Sequence, residues 1–141
     1  MKIILTLIAI FTTFLTPITP LLIMMLFFVF LDTFTGVFAT IKLEGLKSFR
    51  SHKLFNVVIK TFFYFTSIIL AFAISKYIFD NTLLGIKHLL PKTITMLWIY
   101  IEIKSIDETS MKLGNKSFWV LLKEFIEKMK SIKTDINEIT K

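Results

Sequence analysis

The sequence predicts an all-α integral membrane protein, with about three transmembrane helices, an apolar N-terminal helix and an amphipathic C-terminal helix. From Ile3 to Leu31, 29 consecutive residues lack Asp, Glu, Lys, Arg and His, where about 18 apolar residues already make a membrane-span candidate. The 141 residues are 55% hydrophobic and 19% charged, against roughly 45–50% and 25% in soluble domains. Basic residues stand beside the apolar runs. This excludes a soluble globular enzyme. Sixteen Phe and two Trp also exclude disorder, because a disordered chain lacks the apolar side chains to bury.

Residues 1–16 carry Lys2 before about thirteen apolar residues, like a signal-peptide core without an Ala-x-Ala-like cleavage site. A helix there is ~22 Å long. It either spans a locally thinned bilayer or lies at the interface. Pro17 and Pro20 separate it from the next helix, since each disfavours helix at the preceding residue. Residues 20–41 form the first membrane helix, with Pro20 suited to its first turn. Residues 42–60 form a basic loop running into the second helix, with Lys42, Lys47, Arg50, Lys53 and Lys60 against Glu44. Residues 55–79 are the second membrane helix, where Lys60 and Lys76 can snorkel to opposite faces. Ser67, Ala71 and Ser75 form a small-residue stripe suited to close helix packing. Residues 80–88 are a short turn. Residues 89–106 are a weaker third span, with nine uncharged residues between Lys92 and Glu102. Together, 20–106 make the transmembrane domain.

Residues 107–116 read as a polar break. Residues 117–141 read as an amphipathic helix with a heptad seam of Phe118, Leu122, Phe125, Met129, Ile132, Ile136 and Ile139. Glu124 and Lys128 form one supporting pair. Such a helix either lies on the membrane or associates with copies of itself.

Net charge is +7, from sixteen Lys and one Arg against ten acids. Lys beside apolar runs suits anionic lipid headgroups. Nucleic acid is the disfavoured partner, Arg50 being the only Arg. The loop at 42–60 carries five basic residues, the tail from Lys104 carries eight, and the region between the second and third helices carries three. With three crossings the two richer regions share a side, so the positive-inside rule puts the C-terminus in the cytoplasm.

No chemistry of catalysis is legible. Cysteine is absent and only four glycines are present. His52 and His88 lack partners at ligand spacing, so neither metal nor cofactor is expected. Asp32 is informative instead. A charge at mid-bilayer costs ~2.5–3.5 kcal/mol and usually faces a bundle interior. Asp32, Gly36 and Thr40 share a face, with Thr35 beside them. This reads as a helix–helix junction, unless Asp32 lies at headgroup level. Glu102 is expected at the interface, opening the cytoplasmic zone with Lys104, Asp107 and Glu108.

Asp32-Thr33-Phe34-Thr35-Gly36, with Ala39 following, is close to the pattern D-x-x-T-G-x-x-x-A. Ser51 and Lys60 suit a basic loop pattern. Glu102, Ser105, Ile106 and Glu108 match E-x-x-S-I-x-E, with Thr109 in place of Asn, and Leu113-Gly114 comes after them. In this order, over residues 18–130, the chain resembles the phage lysis and toxin-secretion holins. The resemblance implies a protein of the bacterial (host) inner membrane that homo-oligomerises and opens a lesion. An endolysin or toxin then crosses without needing direct contact. The long heptad tail and the apolar 1–16 segment exceed the family pattern. The alternative reading is a scaffolding membrane or virion component without pore activity.

Overall fold

The computed structural model describes residues 2–45 and 51–139, and among these the chain is almost entirely helical. Helix α1 covers Lys2–Leu15, α2 Thr19–Glu44, α3 Ser51–Ile78, α4 Leu89–Lys112 and α5 Phe118–Ile139. Strands β1 (Thr82–Leu83) and β2 (Ile86–Lys87) join α3 to α4. Among the described residues two stretches are long and apolar enough to cross a membrane, Lys2–Glu44 and Phe55–Ile78.

The prolines part α1 from α2 less sharply than expected. A single 3₁₀ turn, Thr16–Ile18, connects them, with Pro17 near its start and Pro20 in the first turn of α2. A proline lacks the N–H that an early helical position leaves unpaired anyway, so helical winding survives both residues. The expected turn at 80–88 is a β-hairpin. Leu83 pairs with Ile86, and Leu84 and Gly85 both take positive φ, as a two-residue hairpin turn requires. The polar break expected from 107 begins later, because α4 runs on to Lys112. The end of α4 is a Schellman motif: Asn115 N–H donates to the Ser110 carbonyl and Gly114 N–H to that of Met111. Gly114 supplies the left-handed φ of 86° that this ending uses.

Helices α2, α3 and α4 form the bundle. α4 packs along both α2 and α3, while α2 and α3 meet more sparsely. The core is Ile18, Met25 and Val29 from the α2 side and Tyr64, Ile68 and Phe72 from α3. Trp98 and Ile99 of α4 pack against it. The buried positions step by seven and four residues on the α2 side and by four on α3, spacings that keep side chains on one helical face. The outward faces are apolar too, with Phe27, Phe30 and Phe34 on α2 and Phe62, Phe63 and Leu70 on α3 all exposed. Buried Ser75, Thr95 and Glu102 lie inside. A few buried polar groups under an apolar exterior suit lipid. In water so much contiguous apolar surface would drive association.

Helix α1 buries no residue. Its last turn is held at the hairpin end of the bundle, where Phe14 meets Phe72 at 5.1 Å between ring centroids. Lys76 does not simply snorkel: its ammonium lies 4.8 Å from the Phe14 ring centroid and also faces Phe72 and Tyr77. The rings' negative faces hold the charge beside them.

This inside–outside contrast sets a stability prediction. Phe72 is fully buried and Phe62 is 66% exposed. Phe72→Ala should destabilise the protein in detergent by about 2 kcal/mol, below the ~3–5 of water-soluble cores, because only packing is lost when lipid is the alternative. Phe62→Ala should leave the thermal midpoint unchanged. Equal midpoints for the two variants would contradict the packing described.

Candidate functional site

The bundle encloses a cluster of three charges, one from each helix. Lys60 of α3 donates from Nζ to Asp32 Oδ2 of α2 at 2.7 Å and to Glu102 Oε2 of α4 at 2.8 Å. Tyr64, one turn beyond Lys60, donates its hydroxyl to Glu102 Oε1 at 2.7 Å. The Tyr64 ring stacks on Trp98, with centroids 4.4 Å apart. Trp98 Nε1 donates to Ser67 Oγ at 2.8 Å, and Ser67 donates to the Tyr64 carbonyl.

Helical spacing brings these groups together. Lys60, Tyr64 and Ser67 stand at i, i+4 and i+7 on α3, and Thr95, Trp98 and Glu102 at i, i+3 and i+7 on α4. Each series therefore lies on one face. α2 and α4 run parallel, since Asp32 and Glu102 meet the same ammonium and Glu44 and Lys112 line the same cavity. Asp32 and Glu102 lie at matching depths, each about 20 Å along its helix from the hairpin end.

Two expectations are corrected here. Lys60 does not snorkel outward, because two carboxylates lie within hydrogen-bond reach inside the bundle. Glu102 does not open a solvated zone: its side chain is 1% exposed, while that of Asp32 is 13% exposed. Lys60 and Tyr64 give both oxygens of Glu102 a donor, so the carboxylate does not need water. Tyr64 and Trp98 were not legible as site residues. The available signal was Asp32 and Lys60 inside apolar helices and Glu102 at the end of an uncharged stretch, with Tyr64 a turn from the lysine, but neighbours across helices are invisible to spacing along one.

Thr33 and Thr40 return their hydroxyls to α2 backbone carbonyls, and Thr35 bonds to the Asp32 carbonyl. Among the described residues no other helix clasps Gly36: a Cβ built there meets none of their atoms within 4 Å. The sparse α2–α3 packing leaves that space. Asp32, Gly36 and Thr40 instead line a cavity of about 350 Å³. Ala71 and Ser75 are buried on α3, and Ser67 is half-buried.

At the end of α4, Ser105 and Ile106 are half-buried and Glu108 is exposed. Asp107 is buried rather than part of a solvated break. It accepts hydrogen bonds from Ser117 Oγ and from Phe118 N–H at the start of α5. A carboxylate there satisfies an unpaired donor and complements the helix dipole. Along α5, Phe118, Leu122, Phe125 and Met129 of the seam are exposed, flanked by exposed Trp119 and Ile126. The Ile132, Ile136 and Ile139 side chains lie outside the described residues, as do Lys47 and Arg50 and the side chains of Ser51 and Lys53 of the basic loop. Glu124 pairs with Lys116, before α5.

Removing Lys60 leaves two carboxylates facing each other without a cation. Lys60→Met should destabilise the bundle by about 3–5 kcal/mol, the usual cost of breaking a buried ion pair from one side. Membrane-fraction abundance and detergent melting read this. The triple variant Lys60→Met, Asp32→Asn, Glu102→Gln should recover most of the loss. No recovery would mean that packing of the Lys60 stem, not charge balance, holds the helices.

Residues 9–131 match the bacteriophage holin family. No curated protein and no solved structure shows significant similarity to the chain.

Proposed function

The chain belongs to the bacteriophage holin family, and on that premise we propose that it oligomerises in the bacterial inner membrane of the host cell and permeabilises it, releasing an endolysin or a secreted toxin. The observation that carries the reading is the charge cluster of Asp32, Lys60 and Glu102 inside a bundle with an apolar exterior. Polar groups enclosed by a lipid-facing shell are what a protein needs to insert first and to line water later. No bond is made or broken, and the released protein needs no contact with the bundle.

In this reading α4 is the third crossing. Its own composition is marginal, but it packs along α2 and α3 and its buried acid is neutralised by Lys60. Three crossings bring the loop after α2 and the tail after α4 to one side, and the basic count places that side in the cytoplasm. There α5 presents its apolar stripe to copies of itself or to the lipid surface, with its lysines drawn to anionic headgroups.

Inducible expression in bacteria with an impermeant DNA-binding dye tests the function. Dye entry, and lysis when a cytoplasmic endolysin is co-expressed, are expected. A protein that fills the membrane fraction without dye entry would instead be a scaffold, a reading that the exposed apolar face of α5 also suits. For topology, a C-terminal alkaline phosphatase fusion should be inactive and a C-terminal green fluorescent fusion bright; the reverse pattern contradicts the orientation. For assembly, Phe125→Asp with Ile132→Asp should keep the protein in the membrane but shift crosslinked species to smaller oligomers. Unchanged crosslinking would assign α5 to the lipid surface alone.

A further inference from the structure

We infer that the cavity between α2 and the tail-side ends of α3 and α4 is a hydrated vestibule that admits cations and ends on Asp32. The inference rests on the bundle being embedded in a membrane, and it stands whether or not the protein permeabilises that membrane.

The wall on α2 runs from Asp32 through Gly36 and Thr40 to Glu44, with Thr109 and Lys112 of α4 opposite. Asp32 and Glu44 are about 18 Å apart along the helix. A volume of about 350 Å³ holds on the order of ten waters at ~30 Å³ each. Ionic and hydroxyl groups recur along its length, which an apolar, dry void lacks.

Gly36 supports the same reading. A helical Gly costs about 1 kcal/mol relative to Ala, and here no neighbour requires it, because a Cβ would meet nothing within 4 Å. Its absence of a side chain keeps the passage wide one turn below Asp32. The unequal exposure of the two acids fits as well: Asp32 borders the cavity, whereas Glu102 is sealed behind Lys60 and Tyr64.

The sign of the preferred solute is set by charge. Two carboxylates share one ammonium at the closed end, a net charge of −1. Of the lining residues, Glu44 and Lys112 cancel near the mouth, and Lys42, two positions from Glu44, is exposed and does not line the cavity. Thr33 on the same wall donates its hydroxyl hydrogen to the Val29 carbonyl, so its oxygen retains acceptor capacity. Within low-dielectric walls such a field concentrates cations and repels anions.

The native chain lacks cysteine, so single substitutions report on one site each. Gly36→Cys and Thr40→Cys would be placed on the wall, and Phe34→Cys, at a position 62% exposed on the outward face, as the control. Membrane vesicles of both orientations are treated with impermeant methanethiosulfonates, one carrying trimethylammonium and one carrying sulfonate. Thiolates form only where water reaches. Both wall cysteines should react from the tail side alone, and at least about tenfold faster than Cys at 34; the cationic reagent should outpace the anionic one by about tenfold, and Asp32→Asn should erase that ratio. Unreactive wall cysteines would overturn the hydrated vestibule. Equal rates for the two reagents would overturn its cation preference. Disulfide-linked dimers through position 36 would show that a second copy fills the space. Two wall positions keep the test decisive if one variant fails to accumulate, and dye entry, read separately, reports on the proposed function.

Discussion

The ammonium of Lys60 holds three helices at one depth. In lipid this contact differs from a surface ion pair, which is commonly worth less than about 1 kcal/mol. If all three helices cross a membrane, each alone would carry an ionised group into hydrocarbon at a cost of ~2.5–3.5 kcal/mol on insertion scales. Brought together, Asp32, Lys60 and Glu102 replace water with one another. The pairing therefore sets the register of α2 and α4 against α3, and a shift by a single turn would strand a charge. The attraction between helices in a membrane comes mainly from packing and hydrogen bonds, so a contact of this kind specifies the arrangement more sharply than the surrounding Phe and Ile side chains do.

The apolar shell around the cluster arises from the same constraint. Tyr64 and Trp98 present rings to the core and polar atoms to Glu102 and Ser67, which lets bulky aromatics fill the space beside charges without leaving their own N–H or O–H unpaired. Outside, the middle stretches of α2 and α3 show mostly apolar side chains, with exposed Lys42, Glu44 and Asn56 near their tail-side ends. The bundle thus keeps its polar groups for the interior, and an assembly of such bundles has polar surface available if helices separate or rotate.

Beyond α4 the chain is richer in charged side chains. Gly114 ends the helix, Asp107 reaches back to start α5, and the turn between them redirects the chain. No described segment of the chain packs broadly along α5, so its exposed aromatic and aliphatic face is free for copies or lipid. Asp107, Gly114, Asn115 and Ser117 hold the turn through which α5 leaves the bundle.

Much of this protein was legible in its sequence because lipid imposes one-dimensional rules. An uncharged run from Ile3 to Leu31 must be buried or in a membrane, and a 3.6-residue period marks a helical face. The family resemblance, carried by Asp32-x-x-Thr35-Gly36 and Glu102-x-x-Ser105-Ile106, agrees with the family match over residues 9–131. Tertiary structure alone decided the partners. Lys60 and Glu102 are 42 positions apart, and nothing local distinguishes a lysine that snorkels from one that reaches inward, or a glutamate at a helix end from one that is sealed. Asp107 was likewise hidden, since capping a helix eleven residues downstream depends on the turn at Gly114. The space beside Gly36 depends on how far α2 stands from α3, a distance set by α4 between them. Periodicity along a chain describes faces; which face meets which, and where a gap remains, is settled only when all three helices are packed.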